Sequence, residues 1–171
     1  MTTRFVSPAI LTPDEGKTVV EFPDIPEALT VGSDEAEACV QAADCLDEAI
    51  AGRIIRRDVI PTPSAKRGGQ INIAVPPLMA AKASLYLAMR GTSVSNVALV
   101  RLLDIDERQV RRMLDPKRAT RLPQIERALA ALGKGLEIRL VDRPGVRPAK
   151  RENATAARGR KEPRQDPQPV P

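Results

Sequence analysis

The chain has no histidine and no tryptophan, and only one tyrosine and two phenylalanines among 171 residues. Without histidine no side chain titrates unperturbed near neutral pH and there is no imidazole ligand. This excludes Ser-His-Asp and Cys-His catalysis and His-ligated zinc. Aromatics make up 2% of the chain against 42% hydrophobic residues, so a core has to be built from Ala, Val, Ile and Leu. Cys39 and Cys45 are the only thiols. Six positions apart in an Ala-rich helical run, they fall on different faces and read as small buried hydrophobes rather than a bridge. No apolar run approaches the ~18 residues of a membrane span, and residues 1–10 hold no apolar signal core. The expectation is a soluble cytoplasmic protein without cofactor or metal and with no membrane partner.

The net charge of +5 is unevenly spread. Residues 1–75 hold 7 Lys/Arg against 12 Asp/Glu, residues 76–142 hold 12 against 7, and residues 143–171 hold 8 against 3. One acidic segment is followed by two basic ones. An acidic surface attracts basic proteins, while a basic one lowers the cost of approaching phosphate. These composition shifts also set the expected domains, 1–75, 76–142 and a tail from 143 to 171.

In the acidic segment, Phe5 to Leu11 and Thr18 to Phe22 read as two strands of a hairpin around Thr12-Pro13-Asp14-Glu15-Gly16. The Phe22-Pro23-Asp24-Ile25-Pro26 stretch breaks the second strand, because neither proline can donate to a ladder. Leu29-Thr30-Val31 is a third strand. Ser33 is placed to cap a helix whose first turn is acidic, as the helix dipole favours. Ala36, Val40, Ala43, Leu46 and Ile50 carry that helix to about Ala51, with Gly52 as its stop. Gln70 to Val75 alternates like a last strand, giving a β-β-β-α-β order.

The string VVEFPDIPEALTVGSDEAEACVQAADCLDEAI, with VIPTPS after it, resembles the N-terminal domain of HicB-type antitoxins over roughly residues 3 to 75. The resemblance implies a partial RNase H-like sheet with one helix, acting as a toxin-binding module without nuclease activity. The candidate toxin-binding residues are Glu21, Asp24, Glu27, Asp34 and Glu35. Asp14, Glu21, Asp24 and Asp34 are also the acids available for a two-metal nuclease. Such a site needs carboxylates converging on ions ~4 Å apart, and acids spread over a turn, a proline loop and a helix start have no spacing that requires it.

After Pro76-Pro77 the pattern becomes helical. Leu78, Ala81, Leu85 and Met89 form one stripe ended by Gly91. Ser95 to Leu103 is a second helix with Val97, Val100 and Leu103 inward. Asp106 caps a third from Glu107 to Leu114, and Leu122 to Leu132 is a fourth, closed by Gly133. Four short helices with tight turns fit a helix-turn-helix domain, so the fold class expected for the whole chain is α+β. Leu99, Leu103, Ile105, Val110 and Met113 fall on that pattern's hydrophobic positions. Val100 departs from its usual small Ala, and Asp104 from its turn Gly, which asks Asp104 for a left-handed conformation. At 100° per residue, Val110, Met113 and Leu114 face one side, and Arg108, Arg111 and Arg112 face the other, where arginine can read guanine or hold phosphate.

The string QVRRMLDPKRATRLPQIERALAALGK resembles the HicB branch that carries this Cro-like domain, over roughly residues 76 to 142. Candidate DNA-binding residues are Glu107, Arg108, Arg111, Arg112, Lys117 and Arg118. The two resemblances together imply a non-enzymatic antitoxin and autorepressor. Its partners would be a HicA-type mRNA-cleaving RNase toxin, operator double-stranded DNA and further copies of itself, as a dimer or tetramer. The other reading is a transcription regulator whose first domain senses a small molecule or dimerises. Glu137-Ile138-Arg139-Leu140-Val141 alternates polar and apolar residues like a strand able to pair with its copy in another chain. From Pro144 the Pro-, Arg- and Lys-rich chain holds too few apolar residues to offset its ordering entropy, and a disordered basic tail is expected.

Overall fold

A computed structural model describes residues 3–141 together with 144 and 145. Strands β1 (Val6–Asp14) and β2 (Lys17–Glu21) are joined by Glu15 and Gly16 alone. Both take positive φ, 44° and 79°, which matches the right-handed twist of the strands they connect. β1 therefore runs through Thr12-Pro13-Asp14, where the sequence predicted the turn to begin. The pairing explains why. Ile10 to Asp14 pair with β2, and Val6 to Ala9 pair with β4 (Ile71–Ala74), so each half of β1 has one unpaired side. Pro8 and Pro13 each lie in such a half, where a missing N–H breaks no ladder.

With β3 (Leu29–Gly32) the sheet is antiparallel throughout, in the order β3-β2-β1-β4. Helix α1 (Glu35–Arg56) lies across one face. Its N-cap is Asp34, which accepts the Glu37 N–H at 2.8 Å, rather than the expected Ser33. Ser33 instead donates its own N–H to the Glu37 carboxylate at 2.8 Å, and its hydroxyl to the same oxygen. The helix also passes the predicted stop at Gly52 and ends where Arg57 turns left-handed, at φ 62°. Ala51 and Ile54 still bury there, and that packing outweighs the ~1 kcal/mol that a helical glycine costs. Helix and sheet approach so closely that a Cβ on Gly32 would sit 2.3 Å from the Ala38 nitrogen. Val20, Phe22, Ile25, Leu46, Ile50 and Ile73 fill this first core.

Helix α2 (Pro77–Thr92) is buried on two sides. Met79 and Ala83 join the first core, while Ala81, Leu85, Ala88 and Met89 join a second. The predicted stripe missed this double role. Leu78, placed in it, is exposed, and the helix continues past Gly91 to a left-handed Ser93. Tyr86 and Arg90 tie α2 to the end of α1, donating to the Asp58 and Arg57 carbonyls at 2.7 Å each.

The second core is closed by α3 (Asn96–Leu103), α4 (Glu107–Leu114) and α5 (Leu122–Ala131) through Leu99, Leu103, Val110, Met113, Ile125 and Leu129. Val97, expected inward, is exposed, and Leu99 takes its place. Cys39 is buried and Cys45 half-buried; both are free, and burial pushes both thiols up. No strand forms at Glu137 to Val141 among the described residues. The expected disordered tail, apart from Pro144 and Gly145, lies outside them. Among the described residues, no helix is long and apolar enough to cross a membrane.

Candidate functional site

The connection between α3 and α4 is built from two aspartates with different tasks. Asp104 adopts the left-handed conformation asked of it, φ 51° and ψ 53°, and its N–H returns to the Val100 carbonyl. Asp106 caps α4, accepting the Gln109 N–H at 2.7 Å and the Gln109 side-chain amide at 3.0 Å. With the turn fixed, Val110 and Met113 point into the core while Arg108, Arg111 and Arg112 are exposed.

The six basic-side candidates are not equivalent. Arg111 pairs with Glu107 at 2.7 Å, one helical turn away. Arg118 reaches Asp115 at 3.6 Å, and Lys117 reaches Glu48 of α1 at 3.7 Å. Arg108 and Arg112 have no ion pair among the described residues. Beside Arg112 a groove of about 490 Å³ opens between α4 and α5, with Gln109, Thr120, Arg121, Gln124 and Arg127 on its polar side. Arg127 also donates to the Leu103 carbonyl at 2.7 Å, closing the end of α3. Its place beside Arg121 in the groove could not be read from α5 alone, because residues of α4 and of the loop after it form the rest of the lining.

Lys82 was missed altogether. It sits three residues from Met79 and from Leu85, on the buried part of α2, and is 3% exposed. Its ammonium donates to the carbonyls of Asp115 and Arg118, so a buried cation pins the loop that carries Lys117 and Arg118. Burial pulls its pKa below the usual lysine value, opposed by Asp115 and Asp47. Asp47 of α1 responds in the opposite sense, its carboxyl pushed up by burial and by its neighbours Glu48 and Asp44. A charged residue inside an apolar helical stripe was the available signal.

On the acidic side the candidates divide in a different way. Asp24 accepts the Ser64 N–H at 2.8 Å and so ties the proline loop to the turn after β2. Glu27 takes two hydrogen bonds from Arg53, at 2.5 and 2.9 Å, which hold its carboxyl below the usual range. Asp34 is the cap of α1. Glu21 and Glu35 are exposed, with no side-chain partner among the described residues. Asp34 and Glu35 lie at one end of α1, and Glu27, through Arg53, lies near the other, about 27 Å away at 1.5 Å per residue. The five do not form one cluster. Among the described residues, no three acid or thiol side chains come together as metal ligands.

The family comparison falls mainly on the first half of this arrangement. Residues 7–84 match the family model described as HicB_like antitoxin of bacterial toxin-antitoxin system. The chain is 42% identical over 125 residues to Antitoxin HicB 2 of Photorhabdus laumondii, covering 73% of this chain and 88% of that protein. It is 34% identical over 135 residues to Antitoxin HicB of Escherichia coli K12, covering 78% of this chain and 98% of the relative. Similarity to Antitoxin HicB of Pseudomonas fluorescens is 30% over 122 residues, 71% of this chain and 84% of that one. The matched lengths reach beyond the sheet and α1 into the helices, and the chain belongs to the HicB antitoxin family of bacterial toxin-antitoxin systems.

Proposed function

We propose that this antitoxin neutralises a HicA-type mRNA-cleaving RNase through its acidic first half and represses its own operon through its basic second half, as a homo-oligomer in the cytoplasm. In this reading residues 1–75 form a partial RNase H-like toxin-binding domain, residues 76–142 a helix-turn-helix domain, and residues 143–171 a basic tail. The carrying observation is α4. A cap at Asp106 and a left-handed Asp104 set it one tight turn after α3, with Val110 and Met113 inward and Arg108 and Arg112 outward, without ion-pair partners among the described residues. Those two arginines, without ion pairs among the described residues, are the pair placed to reach base edges or phosphates. Glu107 and Arg111 restrain each other, and Lys117 and Arg118 stand on the loop pinned by Lys82, where they suit phosphate. On the other half the exposed Glu21 and Glu35 are the acids free to meet a basic toxin. Asp24, Glu27 and Asp34 shape the surface around them.

The test separates the two activities on one chain. Arg108→Ala and Arg112→Ala should each weaken binding to DNA from upstream of the chain's own reading frame by about 1–3 kcal/mol for a lost bidentate base contact. If the contact is to phosphate, the salt dependence falls instead. Growth rescue on co-expression with the neighbouring short reading frame should survive both. Unchanged DNA binding across a salt titration, or lost rescue in a variant with an unchanged melting curve, overturns the assignment.

A further inference from the structure

We propose that the groove between α4 and α5 binds a phosphate monoester carrying an apolar body, and that this ligand competes with DNA for Arg112. Arg112, Arg121 and Arg127 line one cavity of about 490 Å³, and no Asp or Glu lines it. Asp106, Glu107 and Asp115, at the two ends of α4, are engaged elsewhere: the first caps the helix, the second holds Arg111 and the third reaches Arg118. The first turn of α5 adds no acid, and its N-cap, Arg121, makes no capping bond with its side chain. Arg127 uses one donor on the Leu103 carbonyl and keeps the rest of its guanidinium. Three like charges in a concave site focus a positive potential that no lining side chain offsets. A phosphate monoester answers it, with a charge of about −2 and three acceptor oxygens for three guanidinium groups.

Charge is only part of the groove's chemistry. Leu103, Ile105, Met113 and Ala119 line it as well. Leu103 and Met113 belong to the second core and show only an edge, whereas Ile105 is half-buried and Ala119 exposed, so these two offer most of the apolar contact. Inorganic phosphate would leave them against water, and an alkyl or aryl group on the phosphate covers them. The volume also lies within the range of small-molecule sites, about 300–1,000 Å³. A backbone phosphate of DNA has a single charge and no apolar body, so it uses less than the groove offers. Arg112 is on the outer side of α4 and in the groove at once, and an occupied groove withdraws it from DNA.

The competition rests on the proposed function, but the site is tested without DNA. Hexyl phosphate is the probe, and inorganic phosphate and hexanol carry its two halves separately. In amide spectra of the full chain, hexyl phosphate should give saturable shifts at Met113, Ala119, Thr120 and Gln124. Each half alone should bind at least about tenfold more weakly, since a few buried methylenes or one paired dianion account for that much. Arg121→Gln removes a guanidinium and Gln124→Glu sets a carboxylate in the groove, and each should weaken hexyl phosphate about tenfold. Both positions are exposed, so the melting temperature should stay in place. Saturating probe should release DNA from the parent, and Arg121→Gln should need about tenfold more of it. Inorganic phosphate that binds as tightly as hexyl phosphate, variants that bind it like the parent, or shifts confined to other regions would overturn the site. Full DNA affinity at saturating probe would overturn the competition. A chain that binds no DNA at all counts against the proposed function alone, and the amide shifts still decide the site.

Discussion

In the first half Asp24, Glu27 and Asp34 each hold part of the fold: a loop, the end of a helix and the start of the same helix. In the second half Arg108 and Arg112 make no side-chain bond among the described residues, while the loop beside them is held from inside by Lys82. Residues 1–75 and 76–142 carry equal and opposite net charge, yet three of the five candidate acids are spent on local architecture, while Arg108 and Arg112 are left outward. Net charge counts the charges of each half, and only the bonding of individual side chains shows which of them are already engaged.

Substitutions that damage one core and spare the other test how far the comparison reaches. The largest effect is expected from Val110→Asp, which buries a carboxylate at a fully enclosed position with no cation to meet it. A loss of about 4 kcal/mol or more is expected, with DNA binding abolished. Gly32→Ala is its counterpart in the first core. The new Cβ would lie 2.3 Å from backbone, not from a flexible side chain, so strand and helix have to part. About 3 kcal/mol should be lost, with DNA binding retained. Thermal unfolding followed by circular dichroism separates the two cases. If both variants lose everything in one common transition, α2 has made the two cores a single cooperative unit.

Lys82→Met sharpens the comparison where the halves meet. The thioether fills much the same space but leaves the Asp115 and Arg118 carbonyls without their donor, which should cost about 1–3 kcal/mol of stability. Relief of the lysine's burial penalty offsets part of this loss. The loop carrying Lys117 and Arg118 should loosen, seen as faster amide exchange there, and affinity for DNA should fall while toxin rescue persists. Exchange that stays slow in this loop would show that Lys82 is not what pins it.

Local chemistry made much of this legible in advance. The element order, the left-handed Asp104, the Asp106 cap and the inward Val110 and Met113 follow from spacing and turn residues within a few positions. What was misread depends on contacts distant in sequence. Gly52 looks like a stop until the sheet buries Ile54 beyond it, and Pro13 looks like a break until β1 proves to be paired on one side at a time. Leu78 and Val97 fit the helical period but lie on the wrong side of it, because α2 serves two cores and α3 is too short for periodicity to fix its face. Lys82 breaks the apolar pattern, and its partners stand more than thirty positions away. The acids show the same limit. Their number points to a basic partner, but the engagement of Glu27 with Arg53 appears only once β2, β3 and α1 have been assembled.

The smallest expected effect concerns that pair. Glu27 is held below its usual value of 4.5, chiefly by the side-chain hydrogen bonds from Arg53; burial, the next largest influence, opposes this, while a backbone hydrogen bond and the charges of Arg53 and Arg56 add to it. A carboxylate whose folded pKa is depressed contributes stability that is fully present above the unfolded value and lost as pH falls through the folded one. Glu27→Gln removes the charge at every pH and keeps the shape. The parent should therefore be the more stable at neutral pH, and the difference should shrink as the pH falls below 4.5 and vanish once it has passed through the lowered folded pKa. Its size is bounded by exposure, since the Glu27 side chain is 39% accessible and Arg53 18%. Solvent screening at such a site leaves less than about 1 kcal/mol, and added salt should reduce it further. Paired urea titrations at neutral and acid pH would measure this. A difference that persists unchanged at acid pH would mean that Glu27 acts through packing rather than charge. In that case Glu27 would still belong with Asp24 and Asp34 among the acids that build the first half, but by its shape rather than by its charge.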